Sequence, residues 1–165
     1  MAVTAHLFPS WTAACLKKQA NVTTDTLQVL LVGAGTYTWN GTSEAAVTVS
    51  DFLAGSGGGA LTEVSTTSTG YSRKTLATVG VSSTVSGSVG YTSITVSTNP
   101  AWTSASFTAS YALFFDNTIG GTDTTNQVIA YWDFGGASTV TAATFTLQLP
   151  TTNSVAQTLV QYSAS

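Results

Sequence analysis

The chain has 165 residues, of which 7% are charged, with a formal net charge of −3 and a pI near 4.6. An average domain carries about 25% charged residues, and the four Lys and Arg here are too few to neutralise a nucleic-acid backbone, which excludes nucleic acid as a partner. The length suits one domain, and no apolar run approaches the roughly 18 residues of a membrane-spanning helix, so no membrane role is expected.

Residues 1–25 read as an N-terminal arm with a short helix. No basic stretch precedes an apolar one at the N-terminus, so a signal peptide is not expected. Pro9 to Gln19 is the best helix candidate: Pro9 suits a helix start, Trp11, Ala14, Cys15 and Lys18 recur near helical spacing, and Lys17 and Lys18 favour the C-terminal end. Thr26 to Val32 follows as a strand with Leu27, Val29 and Leu31 on one face, stopped by Gly33-Ala34-Gly35. Asn40-Gly41, after Tyr37 and Trp39, signals a tight turn. Val47 to Leu53 fits either a strand or one helical turn capped by Ser50, with the short helix preferred, and Gly55 to Gly59 reads as a flexible loop.

From Ala60 onward the spacing predicts short strands: Leu61–Val64, Arg73–Val81, Ser83–Ser88, Thr92–Val96, Ser104–Phe115, Gln127–Phe134, Ser138–Val140 and Thr144–Leu149. Phe145, Leu147 and Leu149 alternate with Thr144, Thr146 and Gln148, the pattern of a half-buried strand. Phe107, Ala109, Tyr111 and Leu113 begin a similar alternation. Ala112 and Phe114 then make that strand apolar on both faces, as for a central position. Pro150 closes the 26–150 domain, and 151–165 reads as a final strand or an arm. The expected fold is all-β, an antiparallel β-sandwich of jelly-roll or Ig-like type with a short N-terminal helix.

The chain is poor in reactive groups. Its single histidine, His6, and single cysteine, Cys15, lie near the N-terminus. His6 falls before the first helix, on an end expected to be mobile, where a base is hard to hold against a nucleophile. One His and one Cys make no zinc site, and a lone thiol forms no internal bridge. Asp116 and Asp133 come at or near the ends of two strands, with Asp123 between them. They are the one candidate for a glycosidase-type carboxylate pair, and the 116–123 loop for a calcium site. Asx-turn duty at strand ends is the commoner use of such residues. Gly55 to Gly59 lacks the Lys-Ser/Thr ending of a phosphate loop. Trp102 and Trp132 read as core. Tyr37, Trp39 and Asn40, beside an Asn-Gly turn, are the candidate partner-binding residues. No enzymatic activity, cofactor or metal is expected.

An ordered set of segments carries a resemblance: T-D-T-L-Q-V-L-L-V (24–32), L-T-E-V-S (61–65), T-G-Y-S-R-K-T-L (69–76), W-T-S-A-S-F-T-A-S-Y-A-L-F-F-D (102–116), V-I-A-Y-W-D-F-G-G (128–136) and F-T-L-Q-L (145–149). It resembles small β-rich structural proteins of tailed double-stranded DNA bacteriophages, some of which decorate the capsid as cement proteins. The resemblance spans Thr24 to Leu149, while Ser82–Ser97 is unusually rich in Ser and Gly and the segment after Pro150 is long for it. It implies a virion protein made in the host cytoplasm and placed on the capsid surface. Its implied partners are the major capsid protein and copies of itself, as a homotrimer. Other readings are a phage tail, fibre or host-binding module using Tyr37 and Trp39, a carbohydrate-active enzyme using Asp116 and Asp133, and a secreted surface module.

Overall fold

A computed structural model describes residues 4–35, 48–53, 61–118, 121–150 and 158–164. The elements in chain order are β1 (Thr4–Leu7), α1 (Pro9–Leu16), β2 (Leu27–Ala34), α2 (Val49–Leu53), β3 (Thr62–Glu63), β4 (Lys74–Thr75), β5 (Gly80–Ser86), β6 (Val89–Thr95), β7 (Ala101–Asp116), β8 (Gln127–Thr146) and β9 (Thr158–Ala164). The strands form two antiparallel sheets. A six-stranded sheet has the order β1-β8-β7-β2-β3, with β4 also on β2, and a three-stranded sheet has the order β5-β6-β9. The protein is an all-β sandwich with a small N-terminal helix, as composition and alternation predict.

The central strands of the large sheet are apolar on both faces because both faces are covered. Leu27, Val29 and Leu31 of β2 join Ala112 and Phe114 of β7 and Ala130 and Trp132 of β8 in one core. Ile94 and Val96 from the small-sheet side, Leu159 of β9 and Trp11 of α1 pack into the same core. Leu30, Val32, Leu113, Phe115 and Tyr131 point the other way, into a second core with Phe8, Val49, Phe52 and Leu61. Each buried aliphatic or aromatic side chain contributes about 1.5–3 kcal/mol, which explains how the fold stands with so few charges.

Several boundaries differ from the sequence reading. The helix ends at Leu16, not Gln19. Lys18 adopts φ +60, and the N–H groups of Gln19 and Lys18 close onto the carbonyls of Ala14 and Cys15 at 2.9 and 3.0 Å, the left-handed stop that glycine normally supplies. Arg73–Val81 is not one strand: Thr78 at φ +43 breaks it, and β4 and β5 go to different sheets. The Ser83–Ser88 and Thr92–Val96 pair is shifted N-terminally to β5 and β6, because Gly87 makes the turn.

Gln127–Phe134, Ser138–Val140 and the start of Thr144–Leu149 are a single strand. Gly135 and Gly136, both at positive φ, deform that strand as a bulge instead of ending it, and the β7–β8 register shifts between Ala109 and Tyr111 beside them. Leu147 and Leu149 lie beyond β8 yet stay buried while Gln148 is exposed. The alternation therefore reported burial correctly and strand extent wrongly. His6 is not on a loose end: β1 pairs with β8, His6 opposite Tyr131. β9 pairs with β6 from Gly90↔Ala164 to Thr95↔Thr158, so the tail supplies a strand. Tyr37, Trp39, Asn40 and the Gly55–Gly59 loop lie outside the described residues.

Candidate functional site

The carboxylates considered for catalysis do not form a pair. Asp116 is opposite Gln127 and Asp133 opposite Tyr111. Six residues of β8 separate the two positions, about 20 Å along a strand, against the roughly 5–9.5 Å of a glycosidase pair.

Asp116 is fully buried. Its Oδ2 accepts the Trp11 indole N–H at 3.2 Å and its Oδ1 the Thr118 backbone N–H at 2.9 Å. Burial pushes its carboxyl above the usual range; those two N–H groups oppose the rise and Asp25 adds to it. The half-buried Cys15 thiol is also pushed up, by burial first and then by Asp116 and Asp25. A thiol held protonated is a poor nucleophile. Asp133 Oδ1 accepts the Gly135 N–H at 2.7 Å, the Asx-type use expected at a strand irregularity.

Asp123, the other end of the proposed calcium loop, is engaged by an arginine. The Arg73 guanidinium grips Asp123 through two bonds of 2.6 and 2.8 Å and Glu63 through two more of 2.9 and 2.6 Å. It lies 5.6 Å from the Phe115 ring centre. Tyr71 Oη donates to Glu63 Oε1 at 2.8 Å and accepts the Leu31 N–H at 3.1 Å. The Asp123 carbonyl accepts the Ser50 N–H of α2 at 2.8 Å. One planar fork bonding two carboxylates suits Arg and not Lys, so Arg73 fastens β3, β4, α2 and the 121–126 loop into one corner. The sequence places Arg73 only at the start of a predicted strand, because its partners lie 10 and 50 residues away in the chain.

The charged groups among the described residues share a region. Across the large sheet runs the row Thr4–Asp133–Tyr111–Val32–Glu63. Lys17, Lys18, Asp25, Arg73, Lys74, Asp116 and Asp123 belong to elements on one side of it or to the corner just described. Beyond it extend the outer lengths of β7 and β8, while the small sheet packs through Ile94, Val96 and Leu159 into the core shared with Leu27, Val29 and Trp11. From Thr75 to Phe115 and from Phe134 to Ser165 no side chain is charged. That uncharged half contains an aromatic cluster in which Trp102 touches Tyr71, Phe107 and Phe145 at ring separations of 6.5, 6.4 and 5.9 Å.

The surface of this half is made of Thr, Ser, Ala and Gly, with Val81 51% and Val85 73% exposed. A cavity of about 240 Å³ between Trp132, Phe134, Phe145 and Leu147 has no titratable lining residue, and falls below the roughly 300–1,000 Å³ of small-molecule sites. The arrangement can bury surface against another macromolecule, and its side chains include no Asp, Glu, His, Lys or Arg. The signal was present in the sequence as two long charge-free runs, which a motif search passes over.

No family model, no curated protein and no solved structure matches this chain.

Proposed function

We propose that this chain is a non-enzymatic virion structural protein that binds the outer surface of a bacteriophage head as a decoration or cement protein. Its partners in this reading are the major capsid protein and further copies of itself, grouped as trimers. The observation that carries it is the charge-free half of the molecule. A surface of hydroxyls, small side chains and scattered valines loses little free energy when water is removed from it, whereas a charged one costs several kcal/mol per unpaired ion. Such a face suits permanent contact more than solubility. The segments resembling phage head proteins support the same reading. The mechanism is mechanical: each copy buries surface across capsomers, about 1,200–2,000 Å² for a stable contact, and many copies act together.

The test is the copy number of this chain per purified particle, by quantitative mass spectrometry against the major capsid protein. Near-stoichiometric abundance supports decoration of the head. A few copies per particle moves the protein to the tail, and absence from particles overturns the virion reading.

A further inference from the structure

β5 is an edge strand with one side unpaired among the described residues. Among the described residues it pairs only with β6, from Gly80↔Thr95 to Ser86↔Val89. Gly87, at φ +63, and Ser88 make the two-residue turn that takes glycine first. Such a turn closes on a hydrogen-bonded pair, here Ser86 and Val89, and bonded and non-bonded pairs alternate from there. Ser82 and Thr84 therefore direct their backbone N–H and C=O groups to β6. Val81, Ser83 and Val85 direct theirs outward. Natural edge strands are usually blocked by Lys, Pro, a bulge or a covering element. Neither strand of this hairpin contains a charge or a proline, and its register is unbroken.

We propose that β5 pairs with β5 of a second copy of this chain, antiparallel about a two-fold axis through Ser83. Ser83 is the midpoint of Gly80–Ser86, so this register overlaps the whole strand on itself. Ser83 then faces Ser83 of the second copy, and Val81 faces Val85. These are the pairs whose backbone groups point outward, so each exchanges both hydrogen bonds. The valines, 51% and 73% exposed in the single chain, become cross-strand contacts. Any other axis shortens the ladder and parts Val81 from Val85. No like charges oppose the approach, since β5 and β6 have none.

An edge about 23 Å long buries on the order of 500 Å² over both copies, below the roughly 1,200–2,000 Å² of a stable complex. The dimer is thus a weak one that forms at high concentration or where neighbours are held in an array. It stands independently of the decoration reading.

The test places a single cysteine at Ser83 (Ser83→Cys) or, as control, at Ser86 (Ser86→Cys), each with Cys15→Ser, and adds a short bismaleimide at millimolar protein. Directly opposed Cβ atoms lie about 5 Å apart, whereas Ser86 is six residues out of register with its own copy, about 20 Å. The expected result is a covalent dimer from Ser83→Cys and only monomer adducts from Ser86→Cys, with Val85→Lys slowing the Ser83 cross-link roughly tenfold. Equal cross-linking at both sites, or no dimer at either, would overturn the proposal. Circular dichroism of each variant confirms that the fold being compared is intact.

Discussion

On one side of the Thr4–Asp133–Tyr111–Val32–Glu63 row, geometry is held by a few strong polar contacts. On the other it is held by aromatic packing, backbone pairing and neutral side-chain bonds such as Trp102 to the Ser72 carbonyl and Thr108 to Thr139. In the charged half, Arg73 joins Glu63 and Asp123, and buried Asp116 ties Trp11 of α1 to the end of β7. These contacts anchor short or irregular pieces, β3, β4, α2 and the 121–126 loop, which have too few residues to hold themselves by ladder bonds. In the uncharged half the strands are long, and Trp102, Phe107 and Phe145 fill the space between them. The difference teaches where this fold spends its polar groups: at a corner that must be fastened, leaving the opposite face free for contact.

The largest expected effect lies in the uncharged half. Trp102→Ala removes a fully buried indole and its 2.7 Å bond to the Ser72 carbonyl. It should cost about 3–5 kcal/mol in urea unfolding, with no dependence on salt. Arg73→Met should cost about 1–3 kcal/mol, less than a fully buried pair because Arg73 and Asp123 are partly exposed. That loss leaves two carboxylates facing each other, so it should shrink in molar salt. Equal salt responses for the two variants would erase the distinction between the halves.

Asp116 gives a pH signature confined to the charged half. A carboxyl whose folded pKa lies above its unfolded value binds protons more tightly when folded. Its stabilising contribution is fully present below the unfolded value, about 3.9, and is lost as pH rises through the folded one. Thermal melts taken upward from about pH 4 should show the wild type losing stability through this range and Asp116→Asn lacking that slope. Burial, Asp116 and Asp25 push the Cys15 thiol up, so its alkylation by iodoacetamide at neutral pH should be slower in the folded protein than in urea. The smallest effect belongs to the open edge: Val85→Lys should change monomer stability by no more than about 0.5 kcal/mol at dilute concentration.

Periodicity was a good guide wherever a residue's environment is set by its immediate neighbours. Leu27, Val29 and Leu31 share a face as their spacing requires, and Ala112 and Phe114 mark a strand covered on both sides. The same reasoning failed at Thr78, Gly135 and Gly136. A glycine reads as a stop in sequence, but a strand clamped by its neighbour over many residues absorbs it as a bulge. His6 was misplaced for a related reason: a short terminal stretch becomes a strand only because β8 presents an edge to it. Of the candidate site, the scarcity of titratable groups followed from residue counts. The separation of Asp116 from Asp133 needed the register of β7 on β8.

By itself the sequence determined the class of the fold, the two-sided apolar centre and the scarcity of charge, because alternation and composition are local properties. The tertiary structure alone decided that Arg73 meets both Glu63 and Asp123, that the charges of the described residues lie on the Thr4–Asp133–Tyr111–Val32–Glu63 row or to one side of it, and that β5 pairs with β6 only among the described residues. Each of these depends on which strands become neighbours. That choice is made by long-range pairing and burial, whose free energy no short stretch of chain contains.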